Sequence, residues 1–228
     1  KEYSLDSVLP FIRQTAGPRT IIIPILNIYG TGARMQKKLP DCTVLDGCIY
    51  VSASLEHPGV LVQHGPILRV VFGPRDPSYI SPILSVIQSD LCESGIDGVL
   101  STHIQRDALE KFSYVSPIGA AGVYLHAVAG DFQKEGAARE LFKSMIREIS
   151  ALAAAMGYPF EKDYVKINLE ILSNLSADAT TSMQRDIMEG KPSELDGLVM
   201  EPLRLAKKYS VSMPCYEEVA NVLCPLEF

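Results

Sequence analysis

Residues 178–198 read DATTSMQRDIMEGKPSELDGL, and this stretch organises the C-terminal half of the chain. MQRDIM suits a helical turn or two. Gly190 is placed to close them through a left-handed residue, and Ser193 is placed to cap the next helix with Asp196 three residues on. Ser182 and Glu194 then stand at the ends of two successive helices. A hydroxyl facing a capped helix start makes a pocket for a small anion, because the free N–H groups there attract negative charge. Alone, such a pair serves structure far more often than chemistry, and it is the full spacing that carries information.

With 228 residues the chain suffices for one large or two modest domains with real cores. A composition of 47% hydrophobic and 21% charged residues without tryptophan is that of an ordinary soluble protein. The net charge of -6 provides no basic field, so neither nucleic acid nor an anionic membrane is an expected partner. No apolar run reaches the ~18 residues of a membrane span, and the start, KEYSLDS, has no apolar signal core; the expected location is cytoplasmic. Cys42, Cys48, Cys92, Cys215 and Cys224 are odd in number and form no C-x-x-C pair. His57, His64, His103 and His126 lack ligand spacing, so no disulfide framework and no metal site is expected.

Taken in order, Ser4 to about Gln14 reads as a helix, and Thr20 to Ile25 as a strand buried on both faces. Asn27, Gly30 and Gly32 turn into a helix that Pro40 ends, at the carboxyl end of a strand where open α/β sheets bind ligands. Strands follow at 43–53, 60–64 and 67–73, separated by His57-Pro58-Gly59 and Gly65-Pro66, which makes the sheet mixed. A helix at 77–94 and the short strand GIDGVLS lead to a domain boundary near Thr102. Beyond it the pattern is helical: an apolar segment from Ala108 to Ala129 interrupted by Pro117, Gly119 and Gly122, an amphipathic helix from Glu135 to Met156 stopped by Gly157, then helices at 163–175, on both sides of Gly190, and from Pro214 to Leu223. Pro202 is expected to kink the helix that starts at Glu194, Asp163 to cap a helix, and Asp186 to brace its own.

The pattern T-S-M-x-x-D-I-x-x-G-x-x-x-E-x-D, present at Thr181, Ser182, Met183, Asp186, Ile187, Gly190, Glu194 and Asp196, resembles the C-terminal signature of ketopantoate reductases. The N-terminal part is similar to the second half of that family's cofactor domain: Lys1 before a helix, then Leu26, Asn27 and Gly30, then Gly47 and Ala53, then Pro58, Gly59, His64 and Gly65. Ile28 stands where the family has a second glycine. No G-x-G-x-x-G fingerprint occurs, so the resemblance implies an N-terminally incomplete chain lacking roughly the first 70 residues of a full-length homologue, a length consistent with half of a Rossmann domain. The implied fold is α/β plus all-α: residues 1–101 as the C-terminal half of a Rossmann-type NADP-binding domain, and 102–228 as an all-helical substrate and dimerisation domain of the 6-phosphogluconate dehydrogenase-like kind.

The function implied is NADPH-dependent reduction of ketopantoate to pantoate, in pantothenate and coenzyme A biosynthesis, by an enzyme that is a possible homodimer. Lys111, early in an apolar helix that would lower its pKa, corresponds to the general acid. Ser182, Glu194 and Asn27 would hold the 2-oxo acid, and Asn27, Lys1, Ala53 and Glu194 the cofactor. Val115 and Gly119 occupy positions where the family carries asparagines lining the substrate pocket, which removes hydrogen-bonding groups. Three alternatives follow: reduction of another 2-oxo acid, a non-catalytic dimerisation or ligand-sensing module, or another member of the 6-phosphogluconate dehydrogenase-like group.

Overall fold

In the computed structural model, which describes residues 1–224, a helix at Leu5–Thr15 (α1) precedes a β-branched run that enters a ladder only at Ile21–Ile22 (β1). The strand is shorter than its composition predicts. Pro24 has no N–H to give to a ladder, and Ile25 is exposed. β1 runs parallel to Thr43–Val44 (β2) across the helix Thr31–Lys38 (α2). The outer edge of β2 is closed by side chains. Val44 N–H donates to Gln36 Oε1 at 3.1 Å, and its carbonyl accepts from Arg75 Nη2 at 2.8 Å, which leaves these backbone groups nothing to offer another strand.

Asp46–His57 (β3) and Val60–Gly73 (β4) form an antiparallel hairpin, and Asp97–Leu100 (β5) joins β4 in parallel after the helix Pro82–Glu93 (α3). The sheet is mixed, as the turn chemistry predicts. Its inner end packs Leu45, Val70 and Phe72 against Leu84 of α3. The expected break at Gly65-Pro66 does not occur, because β4 is continuous. Val51 faces Leu68 while Ala53 faces Gln63, so the intervening His64–Ile67 bulges out and places Pro66 where no ladder N–H is required. Beyond the bulge the hairpin is exposed, including Leu55 and Leu61.

The rest of the described residues carry helices: Ile104–Tyr124 (α4), Ala129–Gln133 (α5), Ala137–Ala155 (α6), Tyr164–Ser173 (α7), Ser182–Met188 (α8), Glu201–Tyr209 (α9) and Pro214–Leu223 (α10). A wider π-helical turn, Asp196–Met200, runs directly into α9. Chain packing divides the protein into residues 6–108 and a second unit of 109 onward with Lys1–Leu5, so the division falls inside α4. Within the second unit Phe142, Met145, Ile146, Ile149 and Leu152 of α6 are fully buried, following the predicted stripe.

Three polar devices hold these helices, and each answers a backbone requirement. Pro117 does not interrupt α4; it removes an N–H, so the Ser113 carbonyl four residues earlier loses its helical donor, and Asn168 Nδ2 of α7 donates to it at 3.1 Å. Pro202 does the same to Leu198. There Ser116 Oγ of α4 donates to the carbonyl at 2.7 Å and also pairs with the Tyr216 hydroxyl. Glu148, on the apolar face of α6, accepts the N–H groups of Cys215 and Tyr216 at 2.8 and 3.1 Å, capping the start of α10 from another helix. Burial, with Glu148 beside it, pushes the Cys215 thiol up to about 11, which keeps it protonated at neutral pH.

Each of these carbonyls is buried, so removing its donor leaves an unsatisfied acceptor. Ser116→Ala and Asn168→Ala are each expected to destabilise the fold by about 1–3 kcal/mol. Urea titration of the two variants checks this, with midpoints predicted to fall at unchanged slope.

Candidate functional site

The signature stretch is fixed by the loop before it. Ala129 and Gly130 N–H groups donate to Ala179 and Ala177 at 2.9 and 2.8 Å, and Gln184 Nε2 donates to Ala127 at 2.7 Å. α8 therefore begins at a set place. Its cap is Thr181, whose hydroxyl accepts from Gln184 N–H while Gln184 Oε1 accepts from Thr181 N–H. Gly190, with φ +65°, closes α8 as expected, and Lys191 N–H returns to the Asp186 carbonyl at 2.8 Å. The anticipated Ser193 cap is not made. The following helix is entered at Leu195 without a side-chain cap, and Asp196 instead binds Arg204 with both oxygens, at 2.8 and 2.7 Å.

Ser182 occupies the first position of α8, and Asp186 follows one turn later on the same face. Asp186 pairs with Lys1 Nζ rather than only bracing its helix, and the adjacent Glu2 N–H donates to Glu194 Oε1 at 3.1 Å. Glu194 is buried, 4% exposed. Thus the first two residues bring Lys1, Asp186 and Glu194 together, a grouping that the signature's spacing alone does not show.

On α4, Lys111, Val115 and Gly119 recur every four residues along one stripe. Lys111 is half-buried. Tyr114, in the next turn, packs edge-on against Phe142, and burial pushes its hydroxyl up to about 12. Gly119 meets the signature directly. A Cβ there would lie 3.2 Å from the Met183 methyl and 3.7 Å from Leu198 Cδ1, and one at Gly122 would lie 2.8 Å from the Gln184 amide. Small residues on α4 are what admit α8 and the π-helical turn.

Asn27 and Ala53 belong to the unit of residues 6–108. Asn27 is half-buried in the turn after β1; Ala53 is exposed, on β3 beside the bulge. Gly30, with φ +76°, heads α2, and nothing lies within 4 Å of where its Cβ would be. Among the described residues no group of acidic, histidine or cysteine side chains is arranged to hold a metal.

Family models agree with this architecture. The model described as ketopantoate reductase PanE/ApbA C terminal matches residues 103–227, and that of ketopantoate reductase PanE/ApbA matches residues 1–77. An uncharacterized oxidoreductase, YkpB of Bacillus subtilis, is 23% identical over 96% of this chain and 72% of its own length. The 2-dehydropantoate 2-reductase of a Nostoc species is 22% identical over 94% of this chain and 67% of its own. The crystal structure of 2-dehydropantoate 2-reductase from Geobacter metallireducens superposes with a TM-score of 0.88 at 21% identity, covering 97% of this chain and 73% of that one.

Because the Gln184 amide stands against Gly122, the variant Gly122→Ala is expected to push it off the buried Ala127 carbonyl and destabilise the protein by about 1–3 kcal/mol, the cost of an unmet acceptor. Thermal melting checks the size of the loss, and retention of wild-type stability would show that the Gln184 side chain gives way without cost.

Proposed function

The chain belongs to the ketopantoate reductase family of oxidoreductases, and we propose that it reduces a 2-oxo acid to the 2-hydroxy acid with a nicotinamide cofactor, NADPH in the nearest reading. The observation that carries this is that Lys1 and Glu2 draw together Asp186 and buried Glu194 of the signature that begins at Thr181. Ser182 holds the substrate carboxylate or hydroxyl, Glu194 orients the substrate hydroxyl, and Lys111 donates a proton to the carbonyl oxygen. When bound, the cofactor supplies the hydride. Open space beside Gly30 suits a flat nicotinamide ring at the Asn27 turn. A homodimer belongs to the same reading, because the dimeric ketopantoate reductase from Staphylococcus aureus is 21% identical over 97% of this chain.

Reduction of ketopantoate to pantoate is the reaction closest to the family name. A second reading is favoured by Gly119. The family's asparagine position is here taken up by the Met183 methyl and Leu198, which present carbon to a substrate branch instead of an amide. That wall suits a 2-oxo acid whose branch lacks a hydroxyl, because an unpaired buried hydroxyl is discriminated against.

Two assays separate these readings. Nicotinamide oxidation by the whole protein with a 2-oxo acid is expected to fall about 10²–10⁴-fold in Lys111→Ala, the range for loss of a general acid. An undiminished rate removes Lys111 from the chemistry. Comparing ketopantoate with 2-oxoisovalerate in the wild type decides the substrate, and a higher kcat/KM for ketopantoate rejects the apolar-branch reading.

A further inference from the structure

Asp46 opens β3, and nothing in the pattern of the chain marks it as functional. It is nevertheless buried, 7% exposed, and its carboxylate is fully engaged. Gln105 Nε2 donates to Oδ2 at 2.7 Å, Arg75 Nη1 to Oδ1 at 3.3 Å, and the Gly32 N–H donates to the same carboxylate. Gln105 passes the connection on, since its Oε1 accepts from the Tyr29 hydroxyl at 2.7 Å.

The consequence is local to one turn. Tyr29 lies on the near side of the turn between β1 and α2, and Gly32 on its far side, so both flanks are tied to a single carboxylate. A side chain at Gly32 would overlap Asp46 Oδ1 and the Leu45 carbonyl, which shows how closely the backbone has been drawn in. Inside the turn, Thr31 Oγ1 donates to the Ile28 carbonyl at 2.8 Å. Burying a carboxylate is unfavourable against an apolar residue at the same place, and burial accordingly raises the Asp46 carboxyl above its ordinary range, with Arg75 opposing. A strand that needed only to begin here would do better with valine. What the carboxylate adds is a fixed conformation for residues 27–32.

We propose that Asp46 is a positioning residue: through Gly32 and the Gln105–Tyr29 link it holds the turn that presents Asn27 and the open face of Gly30 to the nicotinamide cofactor. The inference rests on the reading of Asn27 and Gly30 given above. It predicts that the carboxylate governs cofactor binding without touching the cofactor.

The test uses the whole protein with three substitutions. Asp46→Ala removes every link. Asp46→Asn keeps an acceptor for the Gly32 N–H, and Gln105 can turn its amide to accept from the new side chain while Tyr29 accepts from Gln105. Gln105→Ala breaks only the Tyr29 arm, and serves if the alanine at 46 fails to fold. Amide hydrogen exchange is read first. Asp46→Ala, or Gln105→Ala in its place, is expected to speed exchange of the 28–32 amides about tenfold or more, leaving the Cys48–Val71 part of the β3–β4 ladder unchanged. Steady-state kinetics are read second. KM for NADPH rises about tenfold with kcat within about threefold, and Asp46→Asn restores KM.

Unchanged exchange at 28–32 overturns the positioning role. Faster exchange with an unchanged KM overturns its link to the cofactor. A wild type that neither binds nor oxidises NADPH sinks the reductase reading instead, and the exchange measurement still decides whether Asp46 holds the turn.

Discussion

A helix that contains proline must find another donor for one carbonyl, and much of the helical half is arranged around that requirement. Pro117 and Pro202 each free a buried carbonyl, and each carbonyl is met by a side chain from a different helix, Asn168 in one case and Ser116 in the other. Since an unmet acceptor in the interior is expensive, these contacts fix which helices are neighbours and at what height. Apolar packing then fills the space between them. Ser116 shows the economy of the scheme, for it serves Leu198 while pairing with Tyr216, and Tyr216 in turn gives its N–H to Glu148. Four elements, α4, α6, α10 and the π-helical turn, meet through one serine, one tyrosine and one glutamate.

Much of this was legible in the sequence, and the portion that was not has a consistent cause. The α6 stripe, the stop at Gly157, the left-handed Gly190 and the start at Pro214 all depend on local rules of period and backbone freedom, and all appear. Where a residue's role depends on a partner far along the chain, local reading fails. Pro117 was expected to interrupt a helix because only its own missing N–H is visible locally; Asn168 is not. Ser193 has the chemistry of a cap, but the π-helical turn moves the helix entry to Leu195. Gly65-Pro66 has the chemistry of a hairpin turn, yet the register of β3 absorbs it as a bulge. Glu148 sits between Met145 and Ile149 on the apolar face, and its acceptor role comes into view only with Cys215 and Tyr216 in place.

The candidate site follows the same division. The signature pointed to the family and made Ser182 and Glu194 the candidate side chains, because their spacing is a property of one short segment. Family membership is carried by models matching residues 1–77 and 103–227. The pairing of Lys1 with Asp186, the contact of Glu2 with Glu194 and the Met183 methyl against Gly119 join residues far apart in sequence. Asp46 is the extreme case. Its neighbours Gly32, Arg75 and Gln105 come from three separate segments, and only the folded sheet edge makes them a group.

The bulge at His64–Ile67 also partitions the hairpin energetically. The pairs from Gly47–Phe72 to Tyr50–Arg69 share a ladder with β5 and a core with α3, whereas those from Ala53–Gln63 to His57–Val60 have only each other. A lone two-stranded hairpin is marginal in water. The outer pairs thus form a unit whose opening costs only their own pairing and leaves the sheet beneath it intact. A single β3–β4 hairpin therefore joins a base anchored in the core to a tip, beginning beside Ala53, that is held by its own pairs alone.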